Sequence, residues 1–180
     1  MIPGKKVYLS SLNRSSLAQL REWRNSPELR KYFREHREIS DAMQENWYNN
    51  RVLNNSNQVD FEIHDLQSGS LIGHCSLNYI VWTNRTAELG IYIGDKEFRR
   101  GGYGTDALNL LMDYAFKTLN LNRVWCEVFS NNEAINVYRK IGFVDEGKMR
   151  QHHFEEGVYL DSYILGLLAE DWLKKEGPKE

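Results

Sequence analysis

The sequence predicts an α/β fold, a mixed central sheet flanked by helices. Three observations predict it: two helix-spaced apolar patterns before residue 50, three runs of period two between residues 59 and 93, and alternating helix and strand patterns from residue 103 onward. The length of 180 residues is close to one domain of about 150. No Gly/Ser/Pro-rich linker or repeated period divides the chain, and Pro3, Pro27 and Pro178 stand clear of its interior runs. One domain over residues 1–180 is expected.

Taken in order, Leu17, Leu20 and Trp23 follow Ser15-Ser16 at steps of three until Pro27 halts the pattern, which gives a helix over about residues 16–25. A second helix starts near Ser40-Asp41, with Asp41 and Gln44 as a capping box and Met43 and Trp47 on one face. Val59, Phe61 and Ile63 alternate with polar neighbours, Gln67-Ser68-Gly69 turns, and residues 71–82 run back as a hairpin. Ala87, Leu89, Ile91 and Ile93 form a further strand, with Glu88, Gly90 and Tyr92 on its other face. Ala107, Leu108, Leu111, Met112, Ala115 and Phe116 mark the strongest helix. Val124, Cys126 and Val128 mark a strand, and Ala134, Ile135, Tyr138 and Ile141 a helix stopped by Gly142. Strand-like runs at 143–150 and 158–167 complete the order.

Charge narrows the function. Twenty-three Lys and Arg against 25 Asp and Glu leave a net charge of −2, with no basic surplus to neutralise a run of phosphates, so nucleic acid is not the expected partner. Val7-Tyr8-Leu9 is too short for a signal-peptide core, and the apolar stretch near residues 164–169 falls far below the ~18 residues of a membrane span. Cys75 and Cys126 form no C-x-x-C pair, which fits a reducing cytoplasm and gives neither a disulfide framework nor a zinc site.

The segment Arg99-Arg100-Gly101-Gly102-Tyr103-Gly104-Thr105 lies between a strand and the long helix. A helix N-terminus offers unpaired N–H groups and partial positive charge, glycines let an anion approach that backbone, and arginines add charge-assisted donors. A diphosphate fits this chemistry, as does a plain Gly-rich turn with solvated arginines. A Walker A loop is excluded because Gly104-Thr105 lacks the lysine. Gly102-x-Gly104-x-x-Ala107 satisfies the dinucleotide pattern, but Gly94-Asp95-Lys96-Glu97-Phe98 and two arginines intervene after the strand end, and Glu127 sits in mid-strand alternation.

Arg99-x-x-Gly102-x-Gly104 resembles the acyl-CoA pyrophosphate loop of the GNAT superfamily of N-acetyltransferases. The block Asn131-Asn132-Glu133-Ala134-Ile135-Asn136-Val137-Tyr138-Arg139-Lys140-Ile141-Gly142-Phe143 is similar to that family's Asn-x-x-Ala-x-x-x-Tyr-x-x-x-Gly-Phe, and Ala87 to Ile93 to its fourth strand. The Tyr-Ala-Phe and Asn-Leu-Asn-Arg segments at 114–116 and 120–123 are similar to the branch of ribosomal-protein N-terminal and spermidine acetyltransferases.

The resemblance implies a GNAT fold and transfer of an acetyl group from acetyl-CoA to a primary amine, by direct attack in a ternary complex and without a metal. Arg99, Arg100, Gly101, Gly102, Tyr103, Gly104 and Thr105 would hold the pyrophosphate. The backbone of Ile91, Tyr92 and Ile93 would meet the pantetheine, together with Asn131, whose position also suits an N-cap. Glu88 would be the general base and Tyr138 the acid that protonates the departing thiolate. In such folds the first helices wall the acceptor pocket, which points to Trp23, Tyr32, Phe33, His36 and Trp47; Trp23-Arg24-Asn25-Ser26-Pro27 is also similar to a short pattern of nucleotide-amino-sugar acetyltransferases.

The chemistry of transfer makes the acceptor decisive. A primary alkylamine of pKa near 10.4 is only on the order of 0.1% neutral at pH 7, whereas an α-amine of pKa near 8 needs much less help from a base. An N-terminal peptide amine, a polyamine, an amino sugar and an aminoglycoside all stay open. His152 and His153 are adjacent and point to opposite faces of an extended segment, so they share no metal, and Cys75 and Cys126 read as buried hydrophobes. The run from Tyr159 to Leu168 leaves room for a homodimer. A catalytically silent CoA-binding module and an NAD(P)-dependent oxidoreductase are the rival readings.

Overall fold

The computed structural model describes residues 1–175; the expected domain's last five residues, Pro178 among them, lie outside the described part. Hydrogen bonding orders eight strands β1-β2-β3-β4-β5-β6-β8-β7, where β1 is Ile2–Pro3, β2 Val7–Ser11, β3 Val59–Asp65, β4 Leu71–Val81, β5 Thr86–Ile93, β6 Arg123–Phe129, β7 Val144–Glu155 and β8 Val158–Leu168. The helices are α1 Leu17–Asn25, α2 Pro27–Arg30, α3 Asp41–Trp47, α4 Tyr103–Asp113, α5 Ala134–Ile141 and α6 Ala169–Lys174. The sheet is mixed as expected: β6 runs parallel to β5 and antiparallel to β8. A parallel neighbour needs a crossover, and α4 lies in the connection from β5 to β6.

The described residues form two compact units, Met1–Tyr79 with Gly90–Leu111, and Ile80–Leu89 with residues 112–175. In the first, β1 to β4 pair antiparallel in sequence order at their described registers, and Val7, Leu9, Ile63, Ile72, Cys75 and Leu77 have no measurable exposure, with Leu111 of α4 equally buried. In the second, Met112, Ala115, Val124, Cys126, Leu165 and Leu167 are buried, as the alternation of β6 and β8 dictates. Both cysteines are free and buried.

Several local expectations are corrected. Ser40, not Asp41, caps α3, its side chain accepting from the Met43 N–H, so Asp41 is the first helical residue and Gln44 is buried instead of completing a capping box. Pro27 ends one helix by starting another: it occupies the first turn of α2, where its missing N–H costs nothing. Strands β1 and β2 and helix α6 carry too few apolar positions for a period to show.

The first unit has a heavily polar sheet face. Glu62 is 2% exposed and accepts from the Asn13 N–H at 2.8 Å and from His64 Nε2 at 2.9 Å. Burial opposes its charge, but donors from Ser16, Asn13 and His64 outweigh it and hold the carboxyl below its ordinary value. A folded-state value below the unfolded one means that this stabilisation is complete above the unfolded value and disappears as the pH falls through the folded one. Glu62→Gln is therefore expected to lose about 1–3 kcal/mol in urea unfolding at pH 7. The gap from wild type should narrow in the same experiment as the pH falls below the ordinary glutamate range toward the lowered folded-state value; a gap that does not change with pH contradicts a charge-based role.

Candidate active site

The phosphate loop is built inside the first unit. After β5, Gly94 is buried, and an added Cβ there would run into the Trp23 ring, so the indole of α1 packs directly on this backbone. A short turn over Lys96–Phe98 is capped by Asp95, which accepts from the Glu97 N–H at 3.0 Å. The chain then passes through positive φ at Arg100 (62°) and Gly102 (84°) and enters α4. An L side chain at 102 would strain this turn. The first α4 bond here runs from the Asp106 N–H to the Gly102 carbonyl at 3.0 Å, leaving the N–H groups of Tyr103, Gly104 and Thr105 without intrahelical acceptors. A Cβ at Gly104 would meet only Ile93 Cγ1, at 3.6 Å, so the helix entrance is open to an anion.

Arg99 has a different place from the one expected. Its guanidinium donates to the carbonyls of Ile93 at 3.0 Å and Gly94 at 2.6 Å and pairs with Glu28 at 2.9 Å, so it braces the end of β5. Lys6, which sequence reasoning missed, sits closer to the glycines: its Nζ donates to the Gly101 carbonyl at 2.9 Å and lies 5.3 Å from the Tyr103 ring centre. Asp106, in the first turn of α4, fixes the N-terminal segment by accepting from the N–H groups of Lys5, Lys6 and Val7 at 2.9, 2.7 and 3.1 Å. These contacts span about a hundred residues and leave no local sequence signal.

Three of the five expected acceptor residues gather around Tyr92. Phe33 meets Tyr92 edge-on at 5.3 Å, Trp47 meets His74 edge-on at 5.9 Å, and His74 lies 5.6 Å from Tyr92. Trp23, Trp47 and Tyr92 pack on the core of Leu12, Leu17, Leu20 and Tyr48. Tyr32 instead carries Lys31 over its ring, and His36 is exposed, its carbonyl accepting from Arg30.

The second unit holds the expected acid and base. Glu88 is 7% exposed and pairs with Trp125 in the parallel ladder. Tyr138, on α5, is buried against Phe143 with ring centres 5.7 Å apart, and Gly142, at φ 115°, closes the helix with its N–H on the carbonyls of Tyr138 and Arg139. Cys126 is their common neighbour. Burial and then the Glu88 charge push its thiol up to about 12, and burial, followed by Cys126, drives the Tyr138 phenol well above its ordinary value. A phenol so raised stays protonated throughout the working range. Asn131 is exposed; Asn132, one residue on, is the one that accepts from the Ala134 N–H at 3.0 Å and stabilises the helix start, so Asn131 is not the N-cap.

His153 stacks on Phe129, and His152 Nδ1 lies 2.9 Å from Glu127 and 3.2 Å from Ser162. Among the described residues no group of three or more His, Cys, Asp or Glu side chains could hold a metal ion, and no helix is long and apolar enough to cross a membrane.

This combination of a parallel β5–β6 step, a glycine turn into α4 and a buried tyrosine on α5 defines an acyl-CoA-dependent transferase. The chain belongs to the GNAT acetyltransferases: the model of the acetyltransferase (GNAT) domain matches residues 6–144. It is 30% identical over 174 residues to spermidine N(1)-acetyltransferase of Vibrio cholerae, an alignment covering 96% of this chain and 98% of that protein. Over 115 residues it is 40% identical to YdaF of Bacillus subtilis, provisionally named a ribosomal N-acetyltransferase, covering 63% of this chain and 61% of that one. The solved structure of the Vibrio cholerae spermidine N-acetyltransferase in complex with CoA and spermine superimposes with a TM-score of 0.86 at 29% identity, over 93% of this chain and 98% of that one. The protein is an acetyl-CoA-dependent N-acetyltransferase, which sets aside the oxidoreductase reading.

Proposed function

We propose that this enzyme acetylates a primary amine by direct attack within a ternary complex, one domain serving the whole reaction, with a polyamine as the foremost acceptor class. The observation that carries the mechanism is the open α4 entrance after Gly102, a ready anion cradle. When bound there, acetyl-CoA supplies an activated thioester. The N–H groups of Tyr103, Gly104 and Thr105 and the Lys6 ammonium bind its pyrophosphate, while Arg99 shapes the loop and Arg100 adds charge. The β5–β6 ladder occupies Thr86 to Glu88, ahead of Ile91, Tyr92 and Ile93, which supports their backbone groups, with Asn131, as pantetheine partners.

Glu88 takes a proton from the attacking amine, and Tyr138 gives one to the departing sulfur. Neither step calls for a metal. The acceptor side rests on Trp23, Phe33 and Trp47. A polyamine is favoured because the spermidine acetyltransferase aligns over almost the whole of both chains, whereas the alignment with YdaF covers under two thirds of each. The balanced charge and the absence of a spanning helix among the described residues are consistent with a cytoplasmic enzyme. Exposed Phe154, Val158 and Tyr159 at the β7–β8 turn offer a surface for a homodimer.

The test is thiol release from acetyl-CoA against spermidine, an N-terminal peptide, an amino sugar and an aminoglycoside. Saturable release with spermidine supports the proposal. Release with another amine alone moves the acceptor class, and release with none leaves a silent CoA-binding module.

A further inference from the structure

Resting on the acetyl-transfer reading, we propose that His74, oriented by Asp60, is a second proton acceptor, which turns an ammonium acceptor into the free amine before attack. His74 Nε2 lies 3.0 Å from Asp60 Oδ1, and Gln58 Nε2 lies 2.9 Å from Asp60 Oδ2. The pair is directional. The Asp60 side chain is 1% exposed and the His74 side chain 10%, so the carboxylate sits behind and the imidazole is the part that a solute can reach. A carboxylate on Nε2 fixes the tautomer with the proton on that nitrogen and leaves the Nδ1 lone pair as the acceptor.

The surroundings suit an alkylammonium. The His74 ring is bordered by Trp47 and Tyr92, with Phe33 on Tyr92, and aromatic faces attract a desolvated cation. The charged and titratable groups facing this ring from its neighbours are Asp60 and Glu62 of β3, Tyr92 of β5 and Arg24 of α1, which stacks on Phe33. Glu62 lies opposite His74 in the ladder, but its carboxylate turns to Asn13 and His64. Asp60 is thus the carboxylate bonded to His74.

The protons balance. An ammonium acceptor carries three on nitrogen. His74 takes the first and returns it to water. The second leaves to Glu88 as the C–N bond forms, and the sulfur receives one from Tyr138 as the C–S bond breaks, with Glu88 and Tyr138 returning to their starting states through solvent. The amide keeps the third.

The experiment measures kcat/KM of wild type and His74→Gln between pH 6.5 and 10 with two acceptors, a primary alkylamine and an α-amine peptide. For the alkylamine the variant should fall about 10²-fold at pH 7 and recover to within about threefold near pH 10, where free amine is abundant. The α-amine should show a smaller deficit that closes about two pH units earlier. A deficit independent of pH and equal for both amines, or none, overturns the proposal while leaving acetyl transfer intact. If wild type turns over no amine, the functional reading itself fails, and the proposal is then decided by long-range 1H–15N spectra of the imidazole. A neutral ring protonated on Nε2, changing tautomer in Asp60→Asn, supports the assignment; a ring protonated on Nδ1 overturns it.

Discussion

Glu88→Gln should lower kcat on an amine acceptor by about 10²–10⁴-fold, the usual contribution of a positioned general base. The substitution keeps size and hydrogen-bonding capacity at a site that is only 7% exposed, so the fold has no cavity to absorb, but an amide cannot take a proton. Affinity for CoA, measured by calorimetry, should stay within about twofold, because Glu88 lies outside the glycine turn proposed to bind the pyrophosphate. Thermal unfolding should be little changed. A kcat within threefold of wild type would make Glu88 a structural carboxylate and move the base function elsewhere.

Tyr138→Phe should cost about 10²-fold in kcat, with KM for acetyl-CoA unchanged. Phenylalanine preserves the edge-on contact with Phe143, so the variant removes the hydroxyl and little else. Burial keeps that hydroxyl protonated, which excludes a base. A leaving group that needs no protonation separates the roles. With an acetyl thioester of a thiol much more acidic than CoA, the deficit should shrink, since such a thiolate departs unaided. Wild-type turnover by the variant on acetyl-CoA would reduce Tyr138 to a packing residue.

The sequence made the fold legible where a period was long enough to count. Ala107, Leu108, Leu111 and Met112 define α4, Gly142 ends α5, and β3 and β4 pair as the expected hairpin, although β4 is buried on both faces over residues 72–77. Short or doubly exposed elements were harder to read. β2 offers two buried residues before polarity returns and escaped, while β7, exposed along most of its length, was legible only over residues 143–150 of a strand that runs on to Glu155. Ser40 and Pro27 show the limits of local rules, because each fits two neighbouring roles and packing selects one.

The site was legible as a set of motifs but not as a set of contacts. Glycine spacing identifies the turn into α4 because backbone conformation itself demands glycine at 102. Side-chain duties depend on distant partners: Arg99 looks like a phosphate ligand until Glu28 and the end of β5 claim it, and Lys6 reaches Gly101 from 95 residues away. Asp60 and His74 are 14 residues apart on paired strands, which makes two unremarkable polar residues into one directional pair.

The central claim is that CoA docks on the backbone entering α4, and a 1H–15N amide titration with CoA tests it most directly. Saturable shifts, largest at Gly102, Tyr103, Gly104 and Thr105, are predicted. Saturation with those four amides unmoved, or no shifts at all with excess CoA, would contradict the account.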